Sequence, residues 1–558
     1  MRILAAALAA LAVYAPPAGA APGDLDASFS GDGRVSTLTS PDTFVARAVA
    51  MQPDGRIVVA GYSCDKATCG PTGDSSFRLV RYTRDGGLDT DFGAGGMVTT
   101  AVGVGRSQAF DLIVRPDGTI VAAGVASEDM ADPGSFALVG YRTNGSLDPA
   151  FGAGGKVITR VGTGFDAISD LVPGPGDWFT AVGQANADGR DRFALARYDR
   201  RGIPDASFGA QGIVVPPYSA AYAYGAAGVR LPDGRVVAVG ASGSNSAVER
   251  LRFSSLPVSL SGGASAPWIR PVGTSYSYAN AAAALPDGRV LSAGVATERL
   301  GNPAMALVRT SPEGVLDRSW DGDGLALARV RDGTVATDVL LDPEGRAVAA
   351  GHASRGGAYE FALARFDGAG ALDGSFGGGV VRTSFPGATI ARATALARQA
   401  DGKLVVAGIA CASGGGPQCQ GGTARIALAR YEVTGSPGGP GGSVTPPPGS
   451  DQQDARFVAL PSRLTIRRGK VRVRIRCVQA KRCRGTLALR RLRTGRRSLL
   501  LGSRSVSVPA GRTRTIVVTV RRRRLGSGHR IPVRMAFTGR DASGKRREVV
   551  KVVSLKRR

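Results

Sequence analysis

Gln52-Pro53-Asp54-Gly55-Arg56-Ile57-Val58-Val59-Ala60-Gly61 reads as a tight turn that feeds a strand. Pro presets φ for the turn and Gly accepts a positive φ. The short apolar run that follows suits a buried strand. The piece recurs as Arg115 to Gly124, Leu231 to Gly240, Leu285 to Gly294, Asp342 to Gly351 and Gln399 to Gly408. A degenerate copy ends at Gly183. The closing glycines lie 63, 59, 57, 54, 57 and 57 residues apart. Seven copies at a near-constant period define a repeat architecture.

Two further pieces keep the same rhythm. Phe77-Arg78-Leu79-Val80-Arg81-Tyr82 has relatives ending at Tyr141, Tyr198, Phe253, Thr310, Phe366 and Tyr431. Leu25-Asp26-Ala27-Ser28-Phe29 is echoed around Phe92, Phe151, Phe208, Trp320 and Phe376, and is worn down to Ala266-Pro267-Trp268 in one copy. Each unit therefore carries four strand signals; in the first full unit they are Val45 to Gln52, Arg56 to Tyr62, Phe77 to Thr83 and Gly96 to Thr100. Four antiparallel strands repeated seven times predict an all-β, seven-bladed propeller over residues 22–433. The chain enters the ring with one strand, about Gly33 to Thr37, and leaves it with three. The N-terminal strand is thus expected to complete the last blade as its outer edge.

The combination L-D-x-x-F-G, P-D-G-[KR]-[IVL]-V-x-A-G and F-A-L-[AV]-R-Y, seen at Asp89 to Gly93, Pro116 to Gly124 and Phe136 to Tyr141, resembles the delta-60 repeat family of bacterial exported propellers. Phe193 to Tyr198 is the cleanest instance. The resemblance spans residues 23–433 and implies a propeller, with no established catalytic residues to carry over. It breaks near Gly174-Pro175-Gly176-Asp177 and at Trp268, where irregular blades are expected.

Met1-Arg2, an apolar run from Ile3 to Val13 and the small residues up to Ala20-Ala21 predict a signal peptide over residues 1–21. The run is too short to span a bilayer, and no other stretch approaches the required length. The six cysteines fall into local pairs, Cys64/Cys69, Cys411/Cys419 and Cys477/Cys483. With export, that pattern predicts three disulfides and a secreted or cell-envelope protein. Only His352 and His529 are present, which disfavours His-ligated metal sites and triad hydrolases. No metal or cofactor is expected.

The recurring aspartates Asp26, Asp89, Asp148, Asp205, Asp317 and Asp373 allow two readings. A calcium loop is one, because Asp321-Gly322-Asp323-Gly324 resembles an oxygen-ligand loop; an Asx-turn with Phe plugged between blades is the other. The repeated Arg81, Arg197, Arg365 and Arg430 are expected at blade edges. Function is expected where the copies differ, in the second-to-third loops and the blade-to-blade loops, which share one face. That face carries Tyr218, Tyr222, Tyr224, Tyr276 and Tyr278. These tyrosines would stack on a sugar, dock a protein, or simply pack at the channel mouth.

Residues 434–454 form a Gly/Pro/Ser-rich linker. Residues 455–558 hold 33 Lys+Arg against two acids, while the rest of the chain holds 38 against 42. All of the +27 excess therefore sits in the tail. Lys470 to Cys477 alternates basic and apolar residues, as a half-buried strand does. About seven short strands predict a small immunoglobulin-like β-sandwich, similar to basic β modules at the ends of exported bacterial proteins. Arg472, Arg474, Arg476, Arg521, Arg522, Arg523 and Arg524 are its candidate polyanion contacts. An anionic cell-envelope polymer or glycan is the expected partner. Simple solvated charge is the alternative, and nucleic acid is disfavoured by the absence of Tyr and Trp in the tail.

The leading expectation is an exported, monomeric, non-enzymatic binding protein. Its propeller face takes a glycan or protein, and its tail associates with an anionic polymer. The alternatives are a lyase or glycosidase using Asp111, Asp166, Asp170 or Asp338 in the central channel, and a structural wall spacer. Two of those acids converging at the channel would favour the enzyme.

Overall fold

The computed structural model describes residues 20–434 outside 39–42, 65–73, 130, 217–219, 221, 245–250, 265–267, 271, 273–274, 298–301, 331, 413–418 and 420–423. In the tail it describes 458–557 outside 460–462, 468–469, 478–482, 492–498, 510–511, 521–529 and 541–545. Residues 1–19 of the expected signal peptide, Tyr218, Cys69 and Arg521 to Arg524 lie outside the described residues. The chain divides into two compact units at Pro440/Gly441, inside the Gly/Pro/Ser stretch.

The first unit is the seven-bladed ring. Blade 1 runs Thr43–Met51, Ile57–Cys64, Ser75–Tyr82 and Met97–Thr100, each strand antiparallel to the next. Blades 2 to 6 repeat that order, with inner strands Ser107–Val114, Ala167–Pro173, Tyr222–Arg230, Ser277–Ala284 and Thr334–Leu341. Blade 7 supplies Ile390–Arg398, Leu404–Cys411 and Arg425–Tyr431; its outer strand is the N-terminal Arg34–Leu38, paired from Arg34↔Ala429 to Leu38↔Arg425. The ring thus closes as the order of the repeats requires.

The repeated glycine has a steric cause. Gly61 lies opposite a bulge in the inner strand, where the register slips between Ala46 and Ala48. A methyl on Gly61 would sit 2.0 Å from the Val45 carbonyl oxygen, so no larger residue fits. Every inner strand bulges at the equivalent place. A bulge leaves one residue out of the ladder and re-aims it.

The repeated Asp, Arg and Phe form one clasp between blades. Arg81 donates from Nε to Asp89 at 2.8 Å, lies 4.5 Å over the Phe92 ring, and donates to the Thr143 carbonyl of the next blade. Arg197, Arg309, Arg365 and Arg430 repeat the pattern with Asp205, Asp317, Asp373 and Asp26. They reach the carbonyls of Leu260, Gly368, Val433 and Arg84 in the following blades. Most of the carboxylates also close an Asx-turn, as Asp26 does by accepting the Ser28 amide. The expected blade-edge position of the arginines is therefore corrected. Arg81, Arg365 and Arg430 are buried between blades, because each guanidinium must touch its own carboxylate and its neighbour's backbone at once.

Two blades depart from the pattern. In blade 2 Gly140 stands where the arginine would, and Arg115 from the first turn supplies the bond to the next blade, at the Arg200 carbonyl. In blade 4 Pro257 takes the position, and the outer strand begins at Trp268 itself. Blade 3 replaces its first tight turn with a 3-10 turn, Pro175–Asp177. All three blades keep four strands.

Among the described residues the second unit holds eight strands, where about seven are expected. Lys470–Cys477 pairs with Thr513–Thr519, and Cys483–Arg491 lies between Leu499–Val508 and Arg530–Arg540. Arg463–Arg467 runs parallel to the last strand, Arg546–Arg557. Val471, Val473, Ile475, Val518, Leu487, Leu489 and Phe537 share its core. Arg472 is exposed beside them, as the alternation requires. For Arg474 and Arg476 only the strand positions are described.

Cys411–Cys419 and Cys477–Cys483 are disulfides, and Cys64 is disulfide-bonded as well. Among the described residues no helix is long and apolar enough to cross a membrane.

Candidate functional site

The seven bulge residues are Arg47, Phe110, Ser169, Ala226, Asn280, Thr337 and Thr394, and all line the central channel. The cavity has a volume of 680 Å³. Some of these side chains tie neighbouring inner strands together. Asn280 Nδ2 donates to the Ala336 carbonyl at 2.7 Å, and Thr337 Oγ1 donates to the Ala393 carbonyl at 3.0 Å.

One residue beyond the bulge, three blades place an aspartate. Asp111 accepts the Leu171 amide at 2.7 Å, Asp170 the Gly228 amide at 2.6 Å, and Asp338 the Leu396 amide at 2.6 Å. Each carboxylate thus reaches the same backbone position in the next blade. Asp111 and Asp170 also lie within hydrogen-bonding reach of each other. Burial raises both carboxyls, and the charge of Asp170 raises Asp111 further. Burial, helped by Asp170, pushes Asp338 up to about 7. Asp166 is not among the channel-lining residues. Its oxygens accept the Val161, Gly162 and Asn186 amides in a blade-to-blade turn.

Two of the acids therefore do converge, but in direct contact. A glycosidase needs its carboxyl groups about 5–10 Å apart, with the sugar between them. This pair leaves no such gap.

Two residues before the bulge, toward the variable face, stand Tyr224 in blade 4 and Tyr278 in blade 5; Tyr222 and Tyr276 come two residues earlier still. The inner strands, not loops, carry Tyr222, Tyr224 and Tyr278. Tyr222 and Tyr224 meet edge to face at 5.9 Å, and Tyr276 and Tyr278 stack at 6.2 Å. All four are half-buried, and Tyr224 lines the cavity. Burial pushes the Tyr224 hydroxyl upward, so it stays protonated as a donor. Phe165 holds the matching place in blade 3, half-buried, with the Arg106 guanidinium 5.4 Å from its ring. The resulting aromatic arc crosses blades 3 to 5. The sequence reading missed Phe165, because nothing in its composition sets it apart; its spacing from the bulge does.

Blades 7 and 1 face that arc across the ring. Arg392 lies 4.2 Å over Tyr359, which packs edge to face against His352. Burial and the neighbouring Arg392 charge push the imidazole down to about 4, so His352 is neutral above that pH. Its Nδ1 is buried without a hydrogen bond, as is Arg392 Nε. Arg47 lies 5.6 Å from the rings of both Tyr62 and Phe110. Among the described residues no cluster of His, Cys, Asp and Glu is placed to hold a metal.

The likenesses to solved structures are distant. A solved protein of unknown function from Dyadobacter fermentans DSM 18053 is 13% identical; the match covers 72% of this chain and 99% of that one, with a TM-score of 0.41. A polysaccharide lyase of family PL25, an ulvan lyase, is 11% identical over 75% and 95% of the two chains, at 0.37. The extracellular domain of a putative hybrid two component system from B. thetaiotaomicron is 7% identical over 92% and 75%, at 0.25. Likenesses this distant carry no argument about activity. No curated protein matches the sequence. Residues 52–92, 115–151, 285–319 and 343–376 match a family described as "Domain of unknown function (DUF5122) beta-propeller". The matched stretches fall in blades 1, 2, 5 and 6, which are similar to that propeller domain.

Proposed function

We propose that the protein is an exported, non-enzymatic binding protein whose propeller takes a glycan at the channel mouth. The observation that carries the reading is the half-buried aromatic arc of Phe165, Tyr222, Tyr224, Tyr276 and Tyr278. Tyr222, Tyr224 and Tyr278 stand on inner strands, and Phe165 and Tyr276 just precede such strands, at the end of the ring where the blades differ. Aromatic faces with polar tips suit sugar rings, which offer apolar faces and hydroxyl edges. The disulfides fit an oxidising compartment and so support export.

The same reading gives the tail a second task, association with an anionic envelope polymer. A net charge of +31 on about one hundred residues invites a polyanion, and Arg472 stands on the exposed side of its strand. A glycosidase that uses Asp111 and Asp170 is disfavoured by their contact spacing.

The test is binding of the full-length protein to a panel of oligosaccharides, beside a variant with Tyr222, Tyr224, Tyr276 and Tyr278 changed to Ala. Saturable binding lost in the variant, with an unchanged melting curve, is expected. Equal binding by both proteins would sink the propeller site. For the tail, sedimentation with purified envelope should decline steeply as salt rises. It should also weaken when Arg472, Arg474 and Arg476 become Gln. Salt-independent association would remove the polyanion role.

A further inference from the structure

We infer that the glycan is acidic, a uronic-acid chain whose carboxylates are held by Arg47 and Arg392 at the side of the mouth opposite the aromatic arc. This inference rests on the glycan reading above and narrows it to one class of sugar.

The argument starts from how arginines are used elsewhere in the ring. Arg81, Arg197, Arg309, Arg365 and Arg430 each spend their donors on an aspartate and a backbone carbonyl. Among the described residues Arg47 and Arg392 do neither. Arg47 makes one long bond there, to the Tyr62 hydroxyl at 3.4 Å, and lies beside the perpendicular Tyr62 and Phe110 rings. Arg392 lies over the Tyr359 face, and its buried Nε lacks a hydrogen-bond partner. Aromatic contacts hold both cations in place, and among the described residues neither meets a carboxylate. A guanidinium fork matches a planar carboxylate in a two-point bond, which a neutral hydroxyl cannot reproduce.

Position supports the same conclusion. Arg47 is the bulge residue of blade 1, and Arg392 stands two residues before the bulge of blade 7. The two blades are neighbours through the ring closure. A short sugar chain across the mouth would stack on the blade 4 and 5 tyrosines and present its acidic groups to these arginines. Of the other charged or titratable groups near this path one opposes an anion, Asp191 of blade 3 beside Tyr222, which accepts a bond from Asn186 Nδ2; the rest do not. His352 is neutral, Arg106 is a further cation, and Asp111, Asp170 and Asp338 are bonded to backbone amides one residue beyond the bulge ring.

The experiment is calorimetric titration of the full-length protein, at physiological salt, with a linear uronic-acid trisaccharide and with the same trisaccharide carboxyl-methylated. The two ligands share a shape and differ in charge. The acid should bind at one site at least tenfold tighter than the ester. Arg392→Ala and Arg47→Ala should each weaken the acid roughly tenfold and leave the ester unchanged, with Arg392→Lys intermediate. The tail is the same in every variant, so its contribution cancels between parent and variants, and the acid-over-ester preference of the propeller is read from the part that the two arginine variants remove. Tyr224→Ala with Tyr278→Ala should weaken both ligands alike. Equal affinity for acid and ester, or arginine variants that bind the acid like the parent, would overturn the acidic-sugar inference and leave the glycan reading in place. Binding of neither trisaccharide would overturn both.

Discussion

The propeller contains two rings built by opposite rules. The outer ring, where Arg, Asp and Phe clasp one blade to the next, repeats nearly the same chemistry in every copy. The channel ring places Arg, Phe, Ser, Ala, Asn, Thr and Thr at equivalent bulges. Repetition is what a closed ring needs for its seams, since every junction carries the same load. A ligand has no sevenfold symmetry, so a site for one must come from copies that differ. Even the exceptions obey this division. Blade 2 loses its clasp arginine at Gly140, and Arg115 restores the bond to the same carbonyl position from another strand.

The strongest way to break the comparison is to open one seam. Arg430→Ala would take the buried guanidinium away from Asp26 and from the Arg84 carbonyl at the junction of blades 7 and 1, leaving Lys403 as the carboxylate's remaining cation. Breaking a buried pair costs about 3–5 kcal/mol when the survivor is left uncompensated, and with Lys403 retained the loss belongs at the low end, about 3 kcal/mol. Urea unfolding should show that loss, whereas Arg392→Ala in the channel ring should cost under about 1 kcal/mol.

Acid should attack the same seam next. Burial alone would raise the Asp26 carboxyl, but bonds from Lys403 and Ser28 and the charge of Arg430 outweigh it and hold it at about 2. A depressed carboxyl stabilises the fold above its unfolded value near 3.9, and that contribution fades as pH falls through about 2. Stability measured from pH 5 downward should fall by about 2–3 kcal/mol through this group, and Asp26→Asn should flatten that part of the curve.

Gly140 gives a smaller, more local test. A methyl there would lie 2.5 Å from the Phe151 ring, so Gly140→Ala must displace the plug between blades 2 and 3. A melting curve should report a loss of about 1–3 kcal/mol. If the variant is neutral, the plug is looser than the clasp picture requires.

The last test comes from the channel and has the opposite sign. Asp338 carries a carboxyl raised to about 7, so its contribution to stability is present below the unfolded value near 3.9 and is lost as pH rises through about 7. Asp338→Asn keeps an oxygen for the Leu396 amide. It should gain stability relative to the parent at pH 8 and nothing at pH 4, with the gain bounded by the roughly 4 kcal/mol that a shift of about three units spans.

Much of this was legible in the residues. The seven closing glycines located the blades, and the leftover N-terminal strand located the closure. The Asp of the L-D-x-x-F piece was readable as an Asx-turn, but its arginine was assigned to the blade edge. The partner carbonyl belongs to the next repeat, and a single unit cannot show it. The channel ring went unseen for a related reason: a bulge has no composition of its own. It does have a spacing. Arg47 precedes Gly61 by fourteen residues, and the same interval separates Phe110 from Gly124 and every later pair to Thr394 and Gly408. The glycine is the visible mark of an invisible neighbour. Asp111 and Asp170 were named as candidates, but their contact depends on the angle between blades, which the sequence does not state.

Closing the ring with the first strand has a consequence in time. Arg34–Leu38 leaves the ribosome early, yet its partner, Arg425–Tyr431, follows nearly four hundred residues later. At roughly 5–20 residues per second that is a wait on the order of half a minute. Throughout it blade 7 lacks its outer strand and Asp26 lacks Arg430. The joint with the greatest sequence separation is therefore the last to form, and everything folded before it is an open arc with two bare edges. Such edges invite mispairing between copies. The protein's hazard in assembly thus lies at the same seam that, once joined, holds it shut.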